Sequence, residues 1–314
     1  MADLGPGTVV VSVDAELGWG YRDVSPPPTW LDQARDGWHR LVALCDEFDV
    51  PATWAVVGHL FLDSCDGVHE NHPLSPGAFA HERQVWASRP DMRFGRGLLE
   101  AVRRARAGHE IGCHTFAHVE FDDPRVDRSV ARAELDRCAG LAADRGISLR
   151  SFVFPRNAVG HRDVLAEYGF TCYRGRRPGT EDGSSRRPVQ KAIAGLTRVD
   201  APPLVEPTVD EFGLVDVPAS LYLFDLEGVP RQVVENLRGD YVVRAAQAGI
   251  DAVVGSGRVL HLWLHPNNVT SDHDIRRLRA VFEYLAERRA ETGLRVETMG
   301  RVADRVLSAR DLAV

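Results

Sequence analysis

Lysine is almost missing from this chain of 314 residues: Lys191 is the only one, and arginine carries the remaining positive charge. That bias reads as genomic composition rather than function, although arginines in a cleft would bind anions well. A basic surplus is missing too. A net charge of −7 and an isoelectric point of about 6.0 leave no electrostatic footprint for nucleic acid. The five cysteines (Cys45, Cys65, Cys113, Cys138, Cys172) form no C-x-x-C pair, and their odd count argues against a disulfide-stapled secreted domain. No apolar run is long enough to span a bilayer. Met1 to Gly7 shows neither the positive n-region nor the apolar h-region of a signal peptide, so the expectation is a soluble, cytoplasmic protein. Neither G-x-G-x-x-G nor G-x-x-x-x-G-K-[ST] occurs, so nucleotide binding lacks support.

What is present is a globular composition, 44% hydrophobic and 26% charged, with length enough for one large α/β barrel. Thr8 to Val13 (TVVVSV) is β-branched and apolar, the pattern of a strand buried on both faces. Leu31 to Phe48 has helical spacing, and Pro51 to Val57 is a second strand. Asp63 to Phe94 is irregular, an inserted excursion near the strand ends. Its histidines, His69, His72 and His81, read as solvated loop residues. Helices follow over Leu98 to Ala107 and Val126 to Arg145, and strands over Leu149 to Phe154 and Phe170 to Tyr173, with a short helix Arg162 to Tyr168 between them. Residues 176–211 read as a second insertion. Leu214 to Leu223 is strand-like but broken at Pro218. Arg231 to Ala248 is helical, Arg258 to Leu264 a strand, Asp274 to Arg289 a helix, Leu294 to Thr298 a strand and Val302 to Ala309 a closing helix. Strand–helix units along nearly the whole chain predict parallel strands covered by helices, in one domain spanning 1–314.

Chemistry gathers where those strands end, as it does in barrels. The organising stretch is Gly108 to His118, GHEIGCHTFAH. It reads as a strand stopping at His114, then a loop or helical turn carrying His118. Were the turn helical, both imidazoles would share a face and could reach one ion. Neutral imidazole is a natural zinc ligand, and catalytic zinc usually takes three protein ligands plus water. Other polar groups sit at strand ends: Asp14 and Glu16, Arg156 and Asn157, Arg174, and His265. A buried carboxylate such as Asp14 is costly unless paired. His261 shares strand parity with His265 but lies deeper, as a hydrogen-bonded core residue. Cys113 points away from the His114 side. Asn268 either binds substrate or caps the following turn. Trp19 and Trp263 either stack on a substrate ring or are core aromatics.

These residues resemble the polysaccharide deacetylases of the NodB-homology type. The first strand ending in Asp14, His114-Thr115-Phe116-Ala117-His118 as H-[ST]-x-x-H, Phe152-Val153-Phe154-Pro155, and the strand ending at His265 follow the family's motifs in order. The resemblance implies a distorted (β/α)7 barrel and a metal-dependent amide hydrolase. It makes Asp14 the catalytic base, Glu16, His114 and His118 the metal ligands, and His265 the general acid. Trp263 would line the pocket. Three departures stand out. Ala15 occupies the place of the usual second aspartate, and Glu16 follows the D-x-[DE] variant. Val153 occupies the place of the third-motif arginine, with Arg156 assigned to the catalytic set in its stead and Arg174 as the other stand-in, assigned to substrate binding. No fourth motif is evident; Asp200 and Asp216 are candidates by composition only.

The implied activity is removal of an acetyl group from an N-acetylated sugar or glycan precursor. The implied cofactor is a divalent metal, zinc first, with nickel or cobalt as alternatives. Partners would be a small-molecule or glycan substrate, with no nucleic acid and no membrane span. Competing readings are an amide hydrolase on a non-sugar compound and a sugar-binding barrel without turnover. A retaining glycosidase ranks last, because paired carboxylates about 5 Å apart would leave the histidine pair without a role.

Overall fold

Residues 5–178, 201–224 and 239–312 are described in the computed structural model of the chain. The first strand, β1 (Thr8–Ala15), is buried along its whole length, as a β-branched run with helices on one side and a filled interior on the other requires. Around it lie β2 (Thr53–Val56), β3 (Glu110–Cys113), β4 (Ser151–Val153), β5 (Cys172–Arg174), β6 (Thr208–Val209), β7 (Val215–Asp216), β8 (Leu221–Tyr222), β9 (Val259–Leu264) and β10 (Arg295–Glu297). Among the described residues these form one sheet in the order β6-β7-β5-β4-β3-β2-β1-β9-β8, and β10 pairs with the start of β1. Every ladder is parallel except β6 with β7.

The sheet is curled. Four strand spacings separate β5 from β1, about 19 Å if the sheet were flat. Arg174 on β5 nevertheless places Nη1 2.6 Å from Asp14 Oδ1 on β1, which requires the strands to wrap round a shared interior. Residues 214–223 join the two flanks. Val217 N–H donates to Tyr173 O and Ala219 N–H to Gly175 O, then Ser220 N–H donates to His261 O and Leu223 N–H to Trp263 O. This segment, expected as one broken strand, is two strands on opposite sides of the barrel, with Pro218 in the crossing.

Alternation divides the residues between two cores. Val9, Val11 and Val13 face outward onto helices such as Ala34–Phe48 and Tyr241–Val253. Val10, Ala55, Val153, Cys172 and Val259 fill the interior, together with Met299, Val302 and Val306 of the final helix, Met299–Asp311. Cys113 joins the outer cluster, as its parity predicts. Helix ends carry ordinary signals: Asp127 accepts from Ser129 and Val130 N–H, Ser271 forms a capping box with Asp274, and Gly293 takes the left-handed position at φ 69°. The expected helix from Leu31 starts instead as a 3-10 turn, Thr29–Gln33, and turns α-helical at Ala34. Of the expected insertion at 176–211, residues 179–200 lie outside the described residues, as do Asp200 and the start of the helix expected from Arg231.

The excursion after β2 is more ordered than its composition predicts. It contains a 3-10 turn Pro76–Phe79 and short helices Ala80–Arg83 and Pro90–Arg93. Its histidines are not solvated: His69 bonds Glu82, His72 bonds Glu134, and His81 packs edge-on against Trp19 and Trp86. No helix among the described residues is long and apolar enough to cross a membrane.

Candidate active site

Asp14 lies on the inward parity of β1, and Glu16 continues that side just past the strand end. Both are buried. Around Asp14 the chain supplies a full set of partners. Arg174 donates from Nη1 to Oδ1 at 2.6 Å and from Nη2 to Oδ2 at 2.7 Å. The same guanidinium donates to Ser12 Oγ at 3.1 Å and Asn157 Oδ1 at 3.2 Å. Trp263 lies over it, 4.4 Å from ring centroid to guanidinium carbon. Ser12 is also 2.9 Å from His261 Nε2, and His261 Nδ1 donates to Val217 O. Burial, with Arg174 adding to it, pushes His261 down to about 3, so it is a neutral core imidazole. Burial alone would raise the Asp14 pKa; Arg174 and then His265 outweigh it and hold the carboxyl below its ordinary value.

Glu16 meets the histidine pair. Oε2 is 3.1 Å from His118 Nε2 and 3.6 Å from His114 Nε2. Gly20 is required beside it, since a Cβ there would fall 2.1 Å from Glu16 Oε1. The turn joining the histidines is not helical. Thr115 and His118 take φ of 58° and 56°, a region that is strained for a β-branched residue. Such a conformation persists only where its surroundings over-determine it. Glu134 does much of that: this buried carboxylate accepts Phe116 N–H at 2.7 Å, Ala117 N–H at 2.8 Å and His72 Nε2 at 2.9 Å. Thr115 Oγ1 accepts Val119 N–H, and Thr115 O accepts Gly58 N–H.

The donor set fits a divalent ion. His114 Nδ1 donates to Val153 O at 2.8 Å, which fixes the tautomer and aims the Nε2 lone pair at Glu16. That Nε2 is buried with no hydrogen-bond partner. The ligating atoms of Glu16, His114 and His118 all lie within 4.8 Å of one another. Two imidazoles and a carboxylate are a ligand set zinc accepts while keeping a position open. Burial pushes Glu16 up, but His265, His114 and His118 together hold it well below its ordinary value; burial lowers His118 more than Glu16 raises it.

His265 adjoins this group. Its Nε2 is 3.7 Å from Asp14 Oδ2 and 3.8 Å from Glu16 Oε1. Its Nδ1 is 3.1 Å from the Tyr222 hydroxyl and 3.2 Å from Asn268 Oδ1, and Tyr222 donates its own proton to Asn268 Oδ1 at 2.6 Å. Two oxygen acceptors therefore face Nδ1, so that atom carries hydrogen and Nε2 is the nitrogen turned towards the carboxylates. At 20% side-chain exposure His265 is the open edge of a group otherwise sealed, with Asp14 at 4% and Glu16 at 5%.

Several expectations change here. Trp19 is fully buried, donates Nε1–H to Arg93 O and packs on His59 and Trp86; it is a core aromatic and offers no face to a sugar. Arg156 is half-exposed and paired with Asp23 and Glu120. The arginine that reaches Asp14 is Arg174, from the next strand. It is the register partner of Val153 and has no exposed side chain to present to substrate. Asn268 Oδ1 accepts the Tyr222 hydroxyl, which ties it to the ring of His265. Asp216 packs against Gly175 rather than Arg174, and burial pushes its carboxyl up to about 6. Sequence reasoning passed over Ser12, Glu134 and Tyr222. The signal for Ser12 was a hydroxyl within an otherwise apolar strand; for Glu134, a carboxylate on the apolar stripe of its helix.

No protein-family model and no curated protein matches the sequence. Solved structures do match. A protein from Mycobacterium smegmatis, provisionally assigned as a polysaccharide deacetylase, superposes with a TM-score of 0.61 at 19% identity, over 99% of this chain and 93% of its own. Puue allantoinase gives 0.59 at 14% identity over 97% and 91%. A Pseudomonas aeruginosa PAO1 protein, also provisionally assigned as a polysaccharide deacetylase, gives 0.58 at 12% identity over 96% and 91%. These likenesses define the fold: the chain is a distorted (β/α) barrel of the NodB type over nearly its full length. Within that fold it is similar to both the two assigned deacetylases and the allantoinase.

Proposed function

We propose that this chain is a metal-dependent amide hydrolase of the deacetylase type, removing an acetyl group from the nitrogen of an N-acetylated sugar or glycan precursor. The observation that carries the reading is the meeting of two proton-handling groups beside one donor set. Asp14, charged and clamped by Arg174, and His265 both adjoin the group of Glu16, His114 and His118, with His265 Nε2 within 3.8 Å of both carboxylates.

Glu16, His114 and His118 would hold the ion, zinc by preference, with nickel or cobalt as alternatives. When bound, such an ion polarises an amide carbonyl and makes water a stronger acid. Asp14 then takes the proton from the attacking water at its open lone pairs, because Arg174 fixes the carboxylate's plane and keeps it ionised. His265 gives a proton from Nε2 to the departing nitrogen, while Tyr222 and Asn268 hold the ring by Nδ1. Trp263, packed on Arg174 and Tyr222, offers an aromatic wall beside these groups.

The likeness to Puue allantoinase favours a second reading, hydrolysis of a non-sugar amide. A panel of N-acetylhexosamines, cyclic ureides and formamides separates the two by which product appears. His114→Ala should lose bound metal and turnover together, and Asp14→Asn should keep metal but lose nearly all turnover. Full activity in metal-free protein, or in His114→Ala, would refute both readings.

A further inference from the structure

We propose that the chain holds a second, structural zinc site, formed by His59, Cys65, His69 and Glu82, that staples the excursion after β2 to the barrel. The four donors come from one stretch of chain: His59 from the 3-10 turn Gly58–Phe61, Cys65 and His69 from the loop that follows, and Glu82 from the helix Ala80–Arg83. Their ligating atoms all lie within 4.8 Å of one another.

The distances bracket a tetrahedron. Zinc at 2.0–2.3 Å from nitrogen, oxygen and sulfur sets ligand–ligand edges of about 3.3–3.8 Å. Here His69 Nε2 is 2.8 Å from Glu82 Oε1, His59 Nε2 is 3.0 Å from Glu82 Oε2, and Cys65 Sγ is 3.9 Å from His69 Nε2. The His59 contact is the informative one. Its Nδ1 donates to Arg93 O at 3.2 Å. Its Nε2 is buried, 3.0 Å from a carboxylate oxygen and without a well-aligned hydrogen bond to it. An ion between the two would take the place of a shared proton.

The surroundings are those of a ligand set. Arg93 holds Glu82 Oε2 from Nη2 at 2.6 Å, and its carbonyl orients His59, the kind of outer contact that fixes metal ligands. Gly67 N–H donates to Cys65 Sγ at 3.3 Å. Phe79, Phe94 and Phe116 pack on the two imidazoles. Two nitrogens, one thiolate and one carboxylate, all from protein, make a closed site, which is the structural rather than the catalytic arrangement. The location gives it a task. His59 N–H donates to Phe116 O, on the loop between His114 and His118, and Arg93 O accepts from both His59 and Trp19. Metal here would hold the excursion against the catalytic loop.

Cobalt tests this on the full chain. The cluster at Glu16 contains no sulfur, so a thiolate-to-cobalt charge-transfer band reports the second site alone, whatever becomes of the first. The expected result is that band in wild type and in His114→Ala, lost in Cys65→Ser, with total metal falling from two equivalents to one. A variant-free readout is thiol labelling. Cys65 is the one partly exposed cysteine, the other four being buried; zinc should slow its reaction roughly tenfold or more, and chelation should restore it. Absence of the band, with labelling indifferent to zinc, overturns the site and leaves an ion-paired cluster around Arg93.

Discussion

Arg174 and Asp14 provide the sharpest test of how the catalytic end is held together. Arg174 has no exposed side-chain surface and Asp14 is 4% exposed, so neither charge is hydrated and each depends on the other. Replacing Arg174 with methionine keeps most of the stem's volume and its packing on Trp263, but strands a carboxylate in the interior. Breaking a buried pair from one side costs about 3–5 kcal/mol, because the remaining charge is uncompensated. Removing both charges costs far less, since well-packed neutral groups of similar volume replace such pairs at little penalty. Urea unfolding of metal-free protein at pH 7 should therefore show a loss of about 3–5 kcal/mol for Arg174→Met. Most of it should return in Arg174→Met/Asp14→Asn. The pH dependence follows in sign. In wild type the Asp14 pKa is held below its ordinary value, so its contribution is complete above a pH of about 4 and drains as pH falls through the lower, folded-state value. In Arg174→Met burial is opposed only by His265 and His114, the pKa rises, and acidification should relieve the mutant's deficit instead of deepening it. Strictly additive losses in the double variant, or a single-variant loss under about 1 kcal/mol, would show that the guanidinium is not what compensates Asp14.

Glu134→Gln keeps the shape but offers one acceptor oxygen where three donors converge; it should lose about 2–3 kcal/mol and weaken zinc binding about 10–100-fold, read by unfolding and competitive chelation. Tyr222→Phe takes one of two oxygens from His265 Nδ1. Its kcat should fall by about an order of magnitude, a fraction of the ~10²–10⁴ a general acid contributes, with KM nearly unchanged; an unaltered kcat would remove Tyr222 from the acid's support. Trp19→Ala should cost about 3–5 kcal/mol as a core truncation, while Arg156→Ala, whose pairs are largely solvated, should change stability by less than about 1 kcal/mol.

The order and type of most elements could be read from the chain because most barrel strands are short apolar runs with a turn signal behind them, and the covering helices carry their stripe; β6, Thr208–Val209, instead fell within the stretch read as an insertion. TVVVSV needs no partner to be recognised as buried. The donor set could be read in part, because strand ends are marked by an abrupt change from apolar to polar: Asp14, His114 and His265 stand at three such places, and the structure brings them together. What could not be read depends on pairing between distant segments. Residues 214–223 look like one strand because local pattern is silent about which neighbour each half meets; Pro218 marks the point where the chain leaves the β5 flank for the β9 flank. The excursion has no periodicity, and its histidines look solvated until His72 is seen to meet Glu134, 62 residues away. Trp19 was misread for the same reason: its burial is provided by His81, Trp86 and Arg93 of that excursion.

The displaced arginine shows why sequence position and interior position come apart in a barrel. Register aligns Asp14 with Ala55 and Gly112, and Ser151 with Cys172. These inward neighbours are small, so the interior at that level has room for a side chain entering from elsewhere. Val153 and Arg174 are partners one step further along their strands, beside His114. A guanidinium from β4 would start among the same atoms as one from β5; the stem approaches from an adjacent strand and the fork reaches the same carboxylate. Val153 keeps the task that needs only backbone, accepting His114 Nδ1–H through its carbonyl, which any residue there performs. The requirement at this level is therefore one long cation, one strand-end carbonyl and small residues beneath. Arg174, Val153 and the set Ala55, Gly112, Ser151 and Cys172 meet it.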